Sequence, residues 1–189
     1  IAYLDGFSPN VQVILDKFKF RNQIDTMMDA DILGAVIEKF TSSDINLSPN
    51  PIYKDAAQTI LKHPGLDNHG MGTIFEELIR KFNEENNEEA GEHWTPRDVV
   101  ELMADLVFMP IADKIKDASY SCYDGACGTG GMLTVAQERL MTLAHRRSKD
   151  VAIHLFGQEI NPETYAICTA DMLLKGDGEE AEHIMYGST

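Results

Sequence analysis

Through the first ninety residues apolar positions recur at helical spacing, one stripe per segment, and the stripes are separated by proline-rich joints. Pro9 precedes Val11, Ile14, Leu15 and Phe18, which predicts a first helix; Leu33, Val36, Ile37 and Phe40 repeat the pattern behind Asp29 or Asp31. Ser48-Pro49-Asn50-Pro51 and His63-Pro64-Gly65 break any helix, because a proline holds its predecessor extended. Met71, Ile74, Phe75, Leu78, Ile79 and Phe82 then predict a helix over residues 70–82, its stripe expected to pack into an internal core. The acidic, asparagine-rich tract 83–92 reads as a solvated connection. It places a boundary between a helical N-terminal domain, 1–88, and a second domain, 89–189.

Beyond that boundary the pattern changes. Thr95 is a good N-cap, Pro96 suits the first helical position, and Asp98 in the first turn favours the positive helix end. Val99, Val100, Leu102, Met103, Leu106 and Val107 supply an apolar face that closes near Pro110. Strand and helix then alternate: a strand ending at Asp124, a helix over 130–145, a strand over 152–156, a helix over 162–174 and a short strand over 183–186. That alternation predicts a parallel sheet with helical crossovers, an α/β domain.

Charge narrows the partners. The 189 residues carry a formal net charge of -15, so the chain is not expected to grip nucleic acid by bulk electrostatics. Its one basic cluster, His145-Arg146-Arg147 with Lys149, sits at a predicted helix end and complements the helix dipole. Three cysteines, without a Cys-x-x-Cys pair, predict reduced thiols. Six scattered histidines match no recurrent metal spacing. No run has the apolar length of a membrane span, so a cytoplasmic protein is expected. A sequence that opens on Ile1 and ends on Gly187-Ser188-Thr189 is expected to be part of a longer protein.

The candidate chemistry centres on residues 123–132, Tyr-Asp-Gly-Ala-Cys-Gly-Thr-Gly-Gly-Met, in a strand, glycine turn, helix context that suits a nucleotide-type ligand. Leu133 stands where a dinucleotide fingerprint has its third glycine, and no lysine follows as in a P-loop. The loop is therefore expected to cradle something less dependent on a pyrophosphate, or to be a structural turn. Glu159, at the end of the next strand, is placed to accept from both hydroxyls of a ribose, or else to cap the helix that begins at Pro162. Asp171 can bond a purine amino group while Met172 and Ile160 cover its faces, or it is a solvated helix residue.

Together these stretches resemble the methyltransferase subunit of type I restriction-modification systems, an S-adenosylmethionine-dependent adenine-N6 DNA methyltransferase. The family's Asp-Pro-Ala-Cys-Gly-Thr-Gly-Gly is matched from Asp124 through Ala126, Cys127, Gly128, Thr129, Gly130 and Gly131, with Gly125 in place of proline. Gln-Tyr/Phe-Phe/Tyr-Thr-Pro-Arg corresponds to Glu92, His93, Trp94, Thr95, Pro96 and Arg97, with substitutions in its first half. Gly-Gln-Glu-Ile-Asn-Pro stands at 157–162.

The resemblance implies a helical N-terminal domain followed by the first part of a Rossmann-like methyltransferase fold. It implies that the Thr95 region and the glycine loop hold the methionine end of S-adenosylmethionine, Glu159 its ribose and Asp171 its adenine amino group. It further implies DNA as substrate, reached through a complex with a DNA-specificity subunit, a restriction subunit and a second methyltransferase subunit. The family's base-holding Asn-Pro-Pro-Phe/Tyr is missing: Asn50-Pro51 and Asn161-Pro162 lack the second proline and the aromatic. The sequence is therefore expected to carry cofactor residues but no catalytic ones. A methyltransferase of the same cofactor class with another substrate, and a non-catalytic assembly piece, are the alternatives.

Overall fold

Ser8, extended, and Pro9, at the first helical position, open α1 (Pro9–Lys17), as the stripe behind them requires. The computed structural model describes residues 2–85, 95–176 and 178–189, in two units, Ile1–Leu78 with Leu174–Gly176, and Ile79–Leu173 with Asp177–Thr189. In the first unit α2 (Phe20–Asp29) and α3 (Leu33–Thr41) follow α1. Where irregular joints were expected, the chain forms an antiparallel hairpin, β1 (Ile52–Tyr53) with β2 (Leu61–His63). Its turn is held by Asp55, whose carboxylate accepts from the Thr59 and Ile60 amides and the Thr59 hydroxyl. Strands of two and three residues carry too little alternation to be read from sequence.

α4 (Asn68–Glu85) runs further than the stripe predicts, three residues into the acidic tract. Its stripe is not closed into a core as expected: Ile74 and Leu78 remain exposed, as do Ile37 and Phe40 of α3. Short helices and a hairpin enclose little volume, and Ile14 is the buried hydrophobic of this unit among the described residues.

In the second unit, which begins within α4 at Ile79, α5 (Arg97–Phe108) starts one residue later than predicted. Pro96, not Thr95, is the N-cap; its carbonyl accepts from the Val99 and Val100 amides. A 3-10 turn, Met109–Lys114, leads to β3 (Ala118–Asp124), followed by α6 (Gly131–Arg146), β4 (Val151–Glu159), α7 (Pro162–Lys175), α8 (Gly178–Glu182) and β5 (Ile184–Tyr186). The three strands form a parallel sheet in the order β3-β4-β5, as the alternation predicts.

The core lies on α6 and α7. Leu133, Leu155, Met172 and Ile184 form one cluster with Cys127, Cys168 and Ala181; Ile115, Leu140, Leu143, Ala112 and Ala144 form another. Each such leucine contributes roughly 1.5–3 kcal/mol by leaving water. The face α5 buries differs from the expected one. Val100 and Ala104 pack on Val135 of α6, whereas Val99, Leu102, Met103, Leu106 and Val107 are exposed. Arg139 fixes that seam by pairing with both carboxylate oxygens of Asp105. At the far end of α6, Arg147 of the basic cluster donates to the Leu143 carbonyl and pairs with Asp113.

Candidate functional site

Parallel pairing gathers the carboxyl ends of the strands at one edge: Asp124, the last residue of β3, lies opposite Gly157, and β4 runs on to Glu159, opposite Tyr186 at the end of β5. In open α/β sheets this edge is where ligands bind. The glycine loop fills it, leaving β3 through an Asx turn in which Asp124 Oδ1 accepts from the Ala126 amide at 3.0 Å.

Two bonds staple the loop to β4. The Cys127 amide donates to the Gln158 carbonyl at 3.0 Å, and the Gly128 amide donates to Glu159 Oε2 at 2.8 Å. The other Glu159 oxygen accepts from the Asn161 amide at 2.6 Å. Glu159 is only 9% exposed, so these are charge-assisted bonds in a low-dielectric setting. The helix cap weighed for Glu159 falls to Asn161, whose side-chain oxygen accepts from the Glu163 and Thr164 amides. An Asn immediately before Pro162 is the sequence signal that could have found it.

Gly128 and Gly130 have φ of +56° and +85°, conformations in which any other L-residue is strained. A Cβ on Gly130 would lie 2.7 Å from Cys168 Sγ, so the loop rests directly on α7. Above Gly128 and at Gly131 there is open space. Ala126 is exposed, Thr129 half-buried and Cys127 buried.

The remaining candidates divide. Asp171 is buried in α7, and Met172, 1% exposed, packs beneath the loop with its methyl 3.8 Å from where a Gly130 Cβ would stand. Ile160 is 65% exposed at the β4 tip. Thr95 and Pro96 are exposed. Arg97 reaches Glu101 at 3.3 Å and Glu138 of α6 at 3.2 Å, linking the two helices. Glu92, His93 and Trp94 lie outside the described residues.

Sequence reasoning passed over Gln158. Its amide group receives the Tyr123 hydroxyl at 3.5 Å and donates to the Ser188 carbonyl at 2.5 Å, tying the ends of all three strands. Tyr186 meets Tyr165 with ring centroids 5.5 Å apart. The Cys127 thiol is held below its ordinary range by a hydrogen bond from Cys168, against burial and the charges of Asp124 and Glu159. The Cys168 thiol is pushed up by the same bond and by burial.

A sequence model of the family described as N-6 DNA Methylase matches residues 66–189. The type I restriction enzyme MpnII methylase subunit of Mycoplasma pneumoniae is 34% identical over 104 residues, 55% of this chain and 17% of that protein. The EcoEI methylase subunit of Escherichia coli is 26% identical over 163 residues, 85% of this chain and 28% of that protein. The chain thus spans well under a third of these curated relatives. A crystal structure of the type I restriction-modification methyltransferase subunit from Streptococcus thermophilus superposes with a TM-score of 0.46 at 27% identity, over 65% of this chain and 23% of that one.

Proposed function

The chain belongs to the N-6 DNA methylase family, and on that premise we propose that its α/β unit is the S-adenosylmethionine-binding half of an adenine-N6 DNA methyltransferase, the modification subunit of a type I restriction-modification system. One observation carries the reading: Glu159, at the carboxyl end of β4, holds the Gly128 amide of the glycine loop at 2.8 Å. A ribose acceptor and the loop that cradles the rest of the cofactor are thereby fixed to one another.

The residues present fit this cofactor. The space above Gly128 and Gly131 is what a Cβ would fill, and the loop has no lysine and has Leu133 where a dinucleotide fingerprint has its last glycine. Asp124 spends one oxygen on Ala126 and keeps acceptor capacity for the amino group of the methionine end. Glu159 spends one lone pair of each oxygen on Gly128 and Asn161 and retains two for the ribose hydroxyls. Asp171 takes the adenine amino group, Ile160 covers the ring, and Met172 supports the loop from below. Ala126, Cys127, Thr129, Gly130 and Gly131 line the cradle, and the methionine end is assigned to Glu92, His93, Trp94, Thr95, Pro96 and Arg97 on the family pattern that these six resemble. S-adenosylmethionine supplies an electrophilic methyl group on a sulfonium.

DNA, the specificity and restriction subunits and a second methyltransferase subunit are the proposed partners. The net charge of -15 supports delivery of DNA by a partner. No helix among the described residues is long and apolar enough to cross a membrane.

Titration calorimetry of the 189-residue chain with S-adenosylmethionine tests the site. Binding is expected, and Glu159→Ala and Gly130→Val should abolish it; unchanged affinity in both variants overturns the assignment. Tritiated cofactor and DNA should give no methyl transfer by this chain alone, whose sequence has no Asn-Pro-Pro-Phe/Tyr.

A further inference from the structure

The tip of β4 holds more than the ribose candidate. Just past β5, the Gly187 amide donates to the Glu159 carbonyl at 2.9 Å, which draws residues 187–189 across the end of the sheet. There Gln158, half-buried, takes hold of them. Its side-chain amide donates to the Ser188 carbonyl and, more weakly at 3.5 Å, accepts from the Tyr123 hydroxyl of β3. Its own carbonyl accepts from the Cys127 amide at 3.0 Å. One residue thus holds the glycine loop with its main chain and the groups beside the loop with its side chain.

Those groups close on Gly125. A Cβ there would lie 3.1 Å from Thr189 Cγ2 and 3.2 Å from the Tyr123 hydroxyl, tighter than an ordinary van der Waals contact. Gly125 also stands where the motif that the loop resembles has proline. A proline fixes its own φ, whereas a glycine leaves the backbone free. In this chain the turn out of β3 must therefore be restrained from outside, and Tyr123 and Thr189 are the side chains packed against it.

We propose that Gln158 is a positioning residue for the cradle: by holding Tyr123 and residues 187–189 against Gly125, it restrains the turn from Asp124 into the glycine loop. Asp124 and Ala126, which close that turn through the Asx bond, flank Gly125 directly, and the Cys127 and Gly128 staples follow it. Freeing the turn lets the loop drift from the Glu159 carboxylate to which it is tied. The consequence for affinity rests on the cofactor reading above; the restraint on the loop does not.

The test compares the 189-residue chain with Gln158→Met, which keeps the stem and loses both side-chain bonds, with Gly125→Ala, and with the double variant. Amide hydrogen exchange by NMR reads Cys127 and Gly128, with Leu140 and Leu143 of α6 as the measure of global opening; titration calorimetry reads S-adenosylmethionine affinity. Gln158→Met should exchange about tenfold faster at Cys127 and Gly128, with α6 unchanged, and bind about tenfold more weakly. Gly125→Ala should raise loop exchange and weaken binding while Gln158 holds Tyr123 and Ser188 in place, and do so less beside Gln158→Met, where both can give way. The proposal is overturned if exchange at Cys127 and Gly128 is unchanged in Gln158→Met, or if it rises equally in α6. It is overturned as well if the parent binds and Gln158→Met binds equally, or if Gly125→Ala has the same effect in both backgrounds. If the parent binds no cofactor while the loop amides of Gln158→Met still exchange faster, the restraint stands and the cofactor reading fails.

Discussion

Replacing Gly130 by alanine tests the contact on which the loop is built. Two costs are readable from the geometry. At φ +85° an alanine backbone is disfavoured by roughly 1–2 kcal/mol. The new Cβ would also stand 2.7 Å from Cys168 Sγ, a buried atom that cannot move without disturbing α7, and overpacking of this kind costs about 1–3 kcal/mol. Together Gly130→Ala should destabilise by about 2–5 kcal/mol. In a Cys168→Ala background the sulfur is gone and the nearest remaining side-chain atom beyond residue 168 is the Met172 methyl at 3.8 Å, an ordinary contact. There the same substitution should cost only the backbone share. Gly131→Ala is the control: it opens α6 and has nothing within 4 Å, so it should be neutral or stabilise by about 0.5–1 kcal/mol. Urea unfolding followed by circular dichroism reads all of these, provided m is unchanged. A Gly130→Ala cost below about 0.5 kcal/mol, or one equal in both backgrounds, refutes the reasoning.

Glu159→Ala leaves the Gly128 and Asn161 amides without their carboxylate in a site 9% exposed, and should destabilise by about 2–4 kcal/mol, with Glu159→Gln intermediate; equal stability of all three forms in urea would contradict the staple. Asn161→Ala removes the α7 cap and should cost about 0.5–2 kcal/mol, seen as a lower unfolding midpoint. A double-mutant cycle on Arg139 and Asp105 should give a coupling of about 1 kcal/mol that shrinks in 1 M salt; zero coupling at low salt rejects the seam. Hydrogen bonds from Thr59 and Ile60 hold the Asp55 carboxyl below its usual range, so its contribution is full above the ordinary aspartate pKa and lost as pH falls through the depressed one. An NMR titration of its carboxyl carbon should show that low midpoint, and Thr59→Ala should raise it.

Much of the α/β unit was legible because its signals are local. Pro96 and Pro162 mark helix starts, and the strand, glycine turn and helix around residues 123–132 are written in neighbouring residues. The α5 face was misjudged for a physical reason: Val99, Val100, Leu102, Met103, Ala104, Leu106 and Val107 surround most of the helix, and periodicity cannot choose a side when apolar residues occupy nearly all of them. The structure selects Val100 and Ala104, whose small side chains let α5 approach Val135. The hairpin at Asp55 escaped notice because strands of two and three residues are too short to show a period.

By itself, then, the sequence determined the order of elements, the glycine loop and its resemblance to adenine-N6 methyltransferases, since φ preferences, caps and motif spacing act within a few residues. Tertiary structure alone decided what each motif residue touches. Glu159 meets Gly128 across 31 positions, Arg97 meets Glu138 across 41, and Gly130 rests on Cys168 of α7. These partners are set by the register of parallel strands and the seating of helices on them, which no local pattern specifies. An acid that reads as a ribose ligand is thereby also the clamp that holds the loop in place.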